Sequence, residues 1–256
     1  MTLELYHAPQ STCSQKVRIA LAEKNLDWIE RRVNLPKNEQ LRPEYLKLNP
    51  NGVVPTLLHD GKVIIDSSVI LEYLDEVFPQ VRLSPVDPAR RAQMRAWMRF
   101  LEEVPTVAIR VPSFHRALAN RFNDLDEKQF RATEADVRPV RKNFYRRMGP
   151  QGFSEEDVAA SLDELKRTVE RMEKALEAEG GPWLMGQDYT LADIVVTPSI
   201  DRMNDLGLSA IWSKKPRVTA WYVRMQARPA FQKAYFPGSR LSEFMTFKPL
   251  NVPVPS

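Results

Sequence analysis

The sequence is poor in the residues that build disulfide-rich, metal-binding and membrane-spanning proteins. It has one cysteine, which excludes an intrachain disulfide framework. His7, His59 and His115 lie far apart and show no metal-ligand spacing, so we predict no metal site. No apolar run approaches the roughly 20 residues that a membrane-spanning helix needs, so we predict no membrane association. Met1 leads into a strand pattern without a signal peptide, and we therefore expect a cytoplasmic location.

The composition is that of a globular protein with a mild positive charge. Hydrophobic residues make up 43% of the chain and charged residues 27%, and 256 residues suffice for one large or two small domains. The net charge of +4 comes from dispersed Lys and Arg, so the sequence does not indicate nucleic-acid binding. A positive balance favours anionic ligands. No P-loop, dinucleotide-binding or G-x-S-x-G motif is present.

Residues 49–68 contain the strongest local pattern in the chain. Asn-Pro-Asn-Gly at 49–52 predicts a turn, and Asp60-Gly61 predicts a hairpin between two short apolar strands. Pro55 cannot donate a backbone hydrogen bond, so it must lie at a strand edge, at a strand start or in a turn. Asp66 or Ser67 can then cap a helix, because apolar residues follow at helical spacing.

This stretch offers groups that match an α-amino-acid ligand. A ligand carboxylate can bind the hydroxyl of Ser67 and the free N–H groups at the helix start. A ligand ammonium group can pair with the carboxylate of Asp66. The backbone at Val54, beside the proline, can pair with an extended peptide. The residues therefore favour binding of a small peptide.

The pattern N-P-x-G-x-V-P, then D-G, then an acid followed by Ser resembles the glutathione-binding half of the soluble glutathione S-transferases. The resemblance implies that Pro55 is cis, that Val54 pairs with the cysteinyl backbone of glutathione, and that Asp66 with Ser67 holds its γ-glutamyl end. It also implies that Gln40 meets the glycine carboxylate. The predicted glutathione-binding residues are Gln40, Val53, Val54, Pro55, Asp66 and Ser67.

The whole chain fits the two-domain architecture of that family. A β-α-β, β-β-α order, with a first helix over Cys13–Lys24, predicts an α/β thioredoxin-like domain with a four-stranded mixed sheet at 1–80. We predict a proline-rich linker at 81–88 and an all-α domain at 89–256. Its first helix runs from Ala89 to about Arg110, and Pro105 and Pro112 predict a kink or a break. Thr190–Asp193 predicts a capping box, which gives Asp193 a structural role. Residues from Phe231 onward predict a tail packed over the surface.

The loop after the first strand is the expected source of the thiolate-stabilising group. A free thiol has a pKa near 8.5, and a hydroxyl near a helix start can stabilise its anion. Resemblance to theta- and zeta-like members places this role on Ser11, and resemblance to β-aryl-etherases places it on Ser14. Beta- and omega-like members instead have a cysteine here, which would be Cys13. Ser14 can equally be only the helix N-cap.

An extended insert, Val111 to Phe153, is similar in length and layout to one branch of the bacterial glutathione-dependent β-aryl-etherases, which cleave lignin-derived dimers. Its basic run at 138–147 is either a solvated helix face or part of an acceptor pocket that attracts an anion. For that acceptor pocket we predict His7, Phe114 and His115.

The resemblance implies a glutathione transferase that uses glutathione as co-substrate and attacks an apolar, aromatic electrophile, with aryl-ether thiolysis as the narrower reaction. It also implies a homodimer. Two alternatives stay open: a non-catalytic glutathione-binding or interaction protein, and a thiol-disulfide reductase that depends on Cys13.

Overall fold

A computed structural model describes residues 1–256 and begins with a four-stranded sheet. The strands are β1 (Leu3–His7), β2 (Ile29–Arg32), β3 (Thr56–His59) and β4 (Lys62–Ile65), in the order β2-β1-β3-β4. Strand β1 pairs parallel with β2 and antiparallel with β3, which pairs antiparallel with β4. This is the mixed thioredoxin-like sheet that the sequence predicts.

Three helices accompany the sheet: α1 (Thr12–Glu23), α2 (Pro43–Leu48) and α3 (Ser67–Val77). Short 3₁₀ segments at Leu35–Lys37 and Glu39–Leu41 precede α2. Helix α1 begins one residue earlier than predicted because Ser11 is its N-cap. The Ser11 hydroxyl accepts a hydrogen bond from the N–H of Ser14 at 3.2 Å. Ser14 is therefore not the cap, contrary to one of the two roles that the sequence left open for it.

The chain beyond residue 87 is helical. Its α-helices are α4 (Pro88–Glu103), α5 (Pro105–Ala108), α6 (Arg110–Ser113), α7 (Glu127–Phe130), α8 (Lys142–Met148), α9 (Glu155–Glu179), α10 (Leu191–Asp205), α11 (Pro216–Gln226) and α12 (Pro229–Ala234). Segments Phe114–Leu118 and Arg131–Ala135 are π-helical, and Ala119–Phe122 and Ser209–Trp212 are 3₁₀. None of the helices has both the length and the apolar composition needed to cross a membrane.

For this half, one sequence expectation is confirmed and another needs correction. The break predicted at Pro105 is present: α4 ends at Glu103, and Pro105, which lacks an N–H, starts a new helical segment. The segment from Phe231 onward is not only a surface tail. Phe231 and Ala234 are buried in α12, and Leu241 is 2% exposed. The chain after α12 therefore returns to the interior.

A continuous core joins the sheet to the helical half. It runs from Leu5 and Ile19 to Ile200 and Trp221, all of which are buried. Helix α1 lies at this junction. The ammonium group of Lys16, fully buried, donates to Glu102 Oε1 at 2.7 Å and to Thr106 Oγ1 at 2.9 Å. The N-terminal end of α1 is thus fixed against the helical half by a buried ion pair.

Asp193 is fully buried and joins α10 to two other segments. Its Oδ1 accepts hydrogen bonds from the N–H of Leu184 at 3.0 Å and from the indole N–H of Trp221 at 2.9 Å. Its Oδ2 accepts from the N–H of Thr190 at 3.0 Å, which completes a capping box. The structural role predicted for Asp193 is confirmed.

We expect Asp193→Ala to lower the free energy of unfolding by about 3–5 kcal/mol, because each buried donor left unpaired costs about 1–3 kcal/mol and the donors can re-pair only in part. Urea denaturation followed by tryptophan fluorescence measures the change. Asp188→Ala, at an exposed position nearby, should alter it by no more than about 0.5 kcal/mol. Equal denaturation curves for both variants would contradict the role of Asp193.

Candidate functional site

A cavity lies between the sheet domain and the helical domain. From the sheet domain it is lined by the start of α1 and by loop residues around Gln40 and Val54. From the helical domain it is lined by residues between Ile109 and Tyr145 and by Leu241, Phe244 and Met245. The site therefore combines segments that are far apart in the sequence.

The N-terminal end of α1 forms one wall of this cavity. Ser11, Thr12 and Cys13 all line it and are half-buried. Because the Ser11 hydroxyl oxygen accepts the Ser14 N–H, its own hydrogen is free to donate to a ligand. The positive end of the helix dipole also favours a negative charge here. This wall is suited to hold a thiolate.

Ser14 has a different environment from Ser11 and Cys13. It is fully buried and does not line the cavity. Its hydroxyl accepts a hydrogen bond from the N–H of Ala8 at 3.4 Å. Of the three candidates for the thiolate-stabilising group, the geometry brings Ser11 and Cys13 to the cavity and leaves Ser14 beneath it.

The loop before β3 presents free backbone groups to the cavity. The Val54–Pro55 peptide bond is cis, as the resemblance implies. The carbonyl of Val53 accepts hydrogen bonds from the Tyr45 hydroxyl at 2.7 Å and from Asn49 Nδ2 at 2.9 Å, which fixes the loop. The N–H and C=O of Val54 make no hydrogen bond within the protein. Val54 can therefore pair with the backbone of a bound peptide.

Gln40 is the second cavity-lining group predicted from the sequence. It is 5% exposed, and its Oε1 has no hydrogen-bond partner, whereas Nε2 donates to Asn38 Oδ1 at 3.4 Å. A buried polar atom without a partner costs free energy, so Gln40 Oε1 favours binding of a hydrogen-bond donor. Pro55 is buried behind the loop and does not line the cavity itself.

Asp66 and Ser67 lie at the start of α3, outside the cavity lining. Asp66 caps the helix: its Oδ1 accepts from the N–H of Ser68 at 2.9 Å and of Val69 at 3.2 Å. Its φ of 71° is in a region that non-glycine residues adopt at a cost and that is enriched at functional sites. The Ser67 hydroxyl makes no hydrogen bond within the protein. Asp66 Oδ2 and this hydroxyl are thus free to bind a ligand.

Of the three residues predicted for the acceptor pocket, only Phe114 lines the cavity, where it packs edge-to-face on Phe144 and Tyr145. The geometry does not place His7 there. His7 is fully buried between Glu30 at 2.9 Å and Arg18 at 3.1 Å. Burial, with the charge of Arg18, lowers the pKa of His7 to about 4, so this side chain is a neutral structural group.

His115 also lies away from the cavity, although it follows Phe114 directly. Its Nδ1 is buried without a partner and lies beside Gly152, where an added Cβ would approach it to 3.0 Å. Burial lowers the pKa of His115. Adjacent residues in a helical segment point in different directions, so the position of Phe114 at the cavity does not bring His115 there.

The cavity contains charged residues that the sequence did not identify individually. They are Arg110, Arg121, Arg138, Arg141 and Arg202. The basic run at 138–147 supplies two of these, whereas Arg146 and Arg147 are exposed and pair with Asp136 and Asp157. The run therefore presents Arg146 and Arg147 to solvent and Arg138 and Arg141 to the cavity. The basic run was the sequence signal for the cavity arginines. Only the three-dimensional structure shows which of its residues face the cavity and which face solvent.

Family models match both halves of the chain. The model for the glutathione S-transferase N-terminal domain matches residues 10–77, and the model for the C-terminal domain matches 134–229. Protein LigF of Sphingobium sp. SYK-6 is 31% identical over 244 residues, covering 92% of this chain and 93% of LigF. Glutathione S-transferase TCHQD of Arabidopsis thaliana is 26% identical, covering 93% of this chain and 92% of that protein.

Solved structures show the same fold. The crystal structure of beta-etherase LigF from Sphingobium sp. SYK-6 has a TM-score of 0.80 at 30% identity, covering 92% of this chain and 99% of that one. A glutathione transferase from Burkholderia graminis, with two glutathione molecules bound per subunit, has a TM-score of 0.70 at 25% identity. It covers 91% of this chain, which covers 87% of that structure. From the family models, the full-length relatives and the shared fold, this chain is an enzyme of the glutathione S-transferase family.

Proposed function

We propose that this enzyme forms the thiolate of bound glutathione and directs it to an apolar aromatic electrophile, with thiolytic cleavage of a lignin-derived β-aryl ether as the specific reaction. The observation that carries the proposal is the free donor and acceptor pair of Val54, facing the same cavity as Ser11. The likeness to beta-etherase LigF over most of both chains supports the narrower reaction.

Glutathione fits the free polar groups along the sheet side of the site. Its cysteinyl backbone would pair with the N–H and C=O of Val54, because both groups are unpaired. Its γ-glutamyl end would bind Asp66 Oδ2 and the hydroxyl of Ser67 at the start of α3, since the N–H groups of Ser68 and Val69 already donate to Asp66 Oδ1. The glycine end would meet Gln40, with Val53 and Pro55 shaping the loop between these contacts.

The start of α1 would then stabilise the thiolate. The Ser11 hydroxyl donates to the sulfur, and the helix dipole adds to the stabilisation of its negative charge. In the proposed reaction the sulfur attacks the carbon that bears the ether oxygen. A C–S bond forms, the C–O bond breaks, and its electron pair leaves on the aryloxide. The helical side of the cavity, which includes Phe114, would position the aryl group for this displacement.

A second candidate function is a thiol-disulfide reductase based on Cys13. The observation in its favour is that Cys13 lines the cavity beside Ser11 and is a free, half-buried thiol. A mixed disulfide with glutathione would require this sulfur, so Cys13→Ser abolishes that activity and leaves the proposed transferase reaction intact. A glutathione-binding protein without catalytic activity would show neither reaction.

We further propose that the protein acts in the cytoplasm as a homodimer. The exposed apolar residues Val63 on β4 and Val69 and Val77 on α3 support a subunit contact that involves these two elements, since exposed apolar groups favour association. We also propose the domain limits 1–80 and 89–256 joined by a linker at 81–88, because these limits separate the sheet with its three helices from the helical half.

The Ser67 hydroxyl gives a direct test of glutathione binding. We expect Ser67→Ala to raise the Kd for glutathione about tenfold to a hundredfold, since a hydrogen bond to a charged group contributes about 1.5–3 kcal/mol. Its thermal stability should stay unchanged because the hydroxyl has no partner within the protein. Isothermal titration calorimetry measures the Kd, with the exposed Ser213→Ala as matched control. An unchanged Kd would remove Ser67 from the proposed site.

The thiolate role of Ser11 is tested by a glycine substitution. We expect Ser11→Gly to raise the pKa of the bound glutathione thiol by about one unit, because the charged form loses a donor that water replaces in part. Glycine keeps most of the N-cap stability, whereas Ser11→Ala should also cost about 0.5–2 kcal/mol of helix stability. Ultraviolet absorbance of the thiolate against pH measures the shift.

Ser14→Ala is the control for that experiment, because Ser14 is buried outside the cavity. It should leave the thiol titration unchanged. A shift in the Ser14 variant alone would transfer the role to Ser14. No shift in either variant would mean that the backbone N–H groups and the helix dipole stabilise the thiolate without a serine.

A further inference from the structure

The charged side chains that line the cavity all carry the same sign. Five arginines line it, and no aspartate or glutamate does. Like charges in a partly enclosed site of low dielectric produce a strong positive potential. Positive charges that have no negative partner in such a site raise the free energy of the folded protein unless an anion is bound.

Two of the five arginines are neutralised within the protein. Arg138 donates to Glu134 Oε2 at 2.7 Å and lies over the ring of Tyr145 at 3.9 Å. Arg202 pairs with Asp205 at 3.5 Å and also donates to the carbonyl of Gln10. These two residues are therefore held by structural partners.

Arg110 and Arg141 have no such partners. Neither guanidinium makes an ion pair or a hydrogen bond within the protein, and both line the cavity. Burial lowers the pKa of Arg141 to about 10, and the charge of Arg110 contributes to this shift. The two cations lie close enough to repel one another. Arg121 is also unpaired, but it is exposed and lies over the ring of Phe122.

The remaining surface near this pair is apolar. Ile109, Phe114 and Leu118 come from the helical side, and Phe244 and Met245 come from the C-terminal segment. A ligand that matches both the apolar side chains and the two arginines has an apolar, flat body and one anionic group. A carboxylate suits two guanidinium groups because its two oxygens accept from both.

We propose that the acceptor substrate is an aromatic compound that carries a carboxylate, and that Arg110 and Arg141 bind this carboxylate. The proposal rests on the proposed function, in which the same cavity holds glutathione with its sulfur at Ser11. It narrows that function: the aryl body of the second substrate stays apolar, but the compound also carries one negative charge, which Arg110 and Arg141 select.

The carboxylates of glutathione itself do not account for this pair. In the proposed arrangement they bind Ser67 at the start of α3 and Gln40, both in the sheet domain. Arg110 and Arg141 come from the helical domain, at the opposite wall, and Arg141 lies near Cys13 at the start of α1. This places the cations on the acceptor side of the sulfur.

A matched pair of electrophiles tests the proposal: 4-chloro-3-nitrobenzoate and its neutral methyl ester. In both, the glutathione sulfur forms a C–S bond at the chlorinated carbon, and chloride leaves with the electron pair of the C–Cl bond. The thiol proton goes to solvent. The two probes differ in intrinsic reactivity, so each variant is compared with the unmodified enzyme on the same probe.

We expect Arg110→Gln and Arg141→Gln to lower kcat/KM for the acid about tenfold to a hundredfold and to change it for the ester less than about twofold. Arg141→Lys should restore part of the rate with the acid. Arg99→Gln removes one positive charge from an exposed, unpaired position on α4 and should leave both rates unchanged. Circular dichroism confirms that each variant is folded.

Other outcomes would overturn the proposal. Equal losses for acid and ester would mean that the arginines act on the glutathione sulfur. A Kd for glutathione raised more than about tenfold would mean that they hold its carboxylates. If neither probe reacts with the unmodified enzyme, the proposed function fails. The binding of a carboxylate by Arg110 and Arg141 is then tested separately, by calorimetry with the unreactive 4-methyl-3-nitrobenzoate. Binding that is lost in Arg141→Gln supports it, and no binding to the unmodified enzyme overturns it.

Discussion

The site depends on the buried polar contacts that fix α1 between the two domains. Lys16 pairs with Glu102, and the guanidinium of Arg18 donates to the carbonyls of Pro9 and Ala234. Gln15, 2% exposed, donates to the carbonyl of Ser239. Removing one partner of a buried charge commonly costs about 3–5 kcal/mol, so these contacts strongly oppose any displacement of the helix. The position of Ser11 and Cys13 relative to the helical wall follows from them.

Local patterns made much of this architecture predictable from the sequence. The hairpin and the capping box at Asp193 depend on residues close together in the chain, and both are present where they were expected. The cavity residues were harder to predict because residues 105–148 alternate between short α, 3₁₀ and π segments. No single helical spacing of apolar residues holds across such a stretch. The sequence therefore could not show that Arg141 faces the cavity while Arg146 faces solvent. The placement of His7 in the acceptor pocket was wrong for a related reason. Alternation along a strand predicts that a side chain is buried, but it does not predict which side chains surround it.

The two walls of the cavity contribute different chemistry. The sheet domain supplies backbone and small polar groups, at Val54, Gln40 and Ser11, that suit a ligand of fixed covalent structure. The helical domain supplies apolar side chains and arginines, carried on short irregular segments and on the chain after α12. These segments also supply core residues such as Phe122 and Phe130, but their cavity-facing side chains can change with less effect on the core. A family resemblance therefore carries over well to the first wall, while substrate choice has to be argued from the second.

Charge balance links the two walls. A thiolate and a substrate carboxylate about 6 Å apart repel each other by about 3 kcal/mol at an effective dielectric constant near 20. A site that binds both must offset this repulsion, and two unpaired guanidinium groups can do so without any change in fold. Before the ligands bind, the same two groups repel each other, which raises the free energy of the empty site. Binding of the proposed acceptor anion would relieve that repulsion, so the free-energy cost of bringing the two cations together would be offset only when the second substrate is in place.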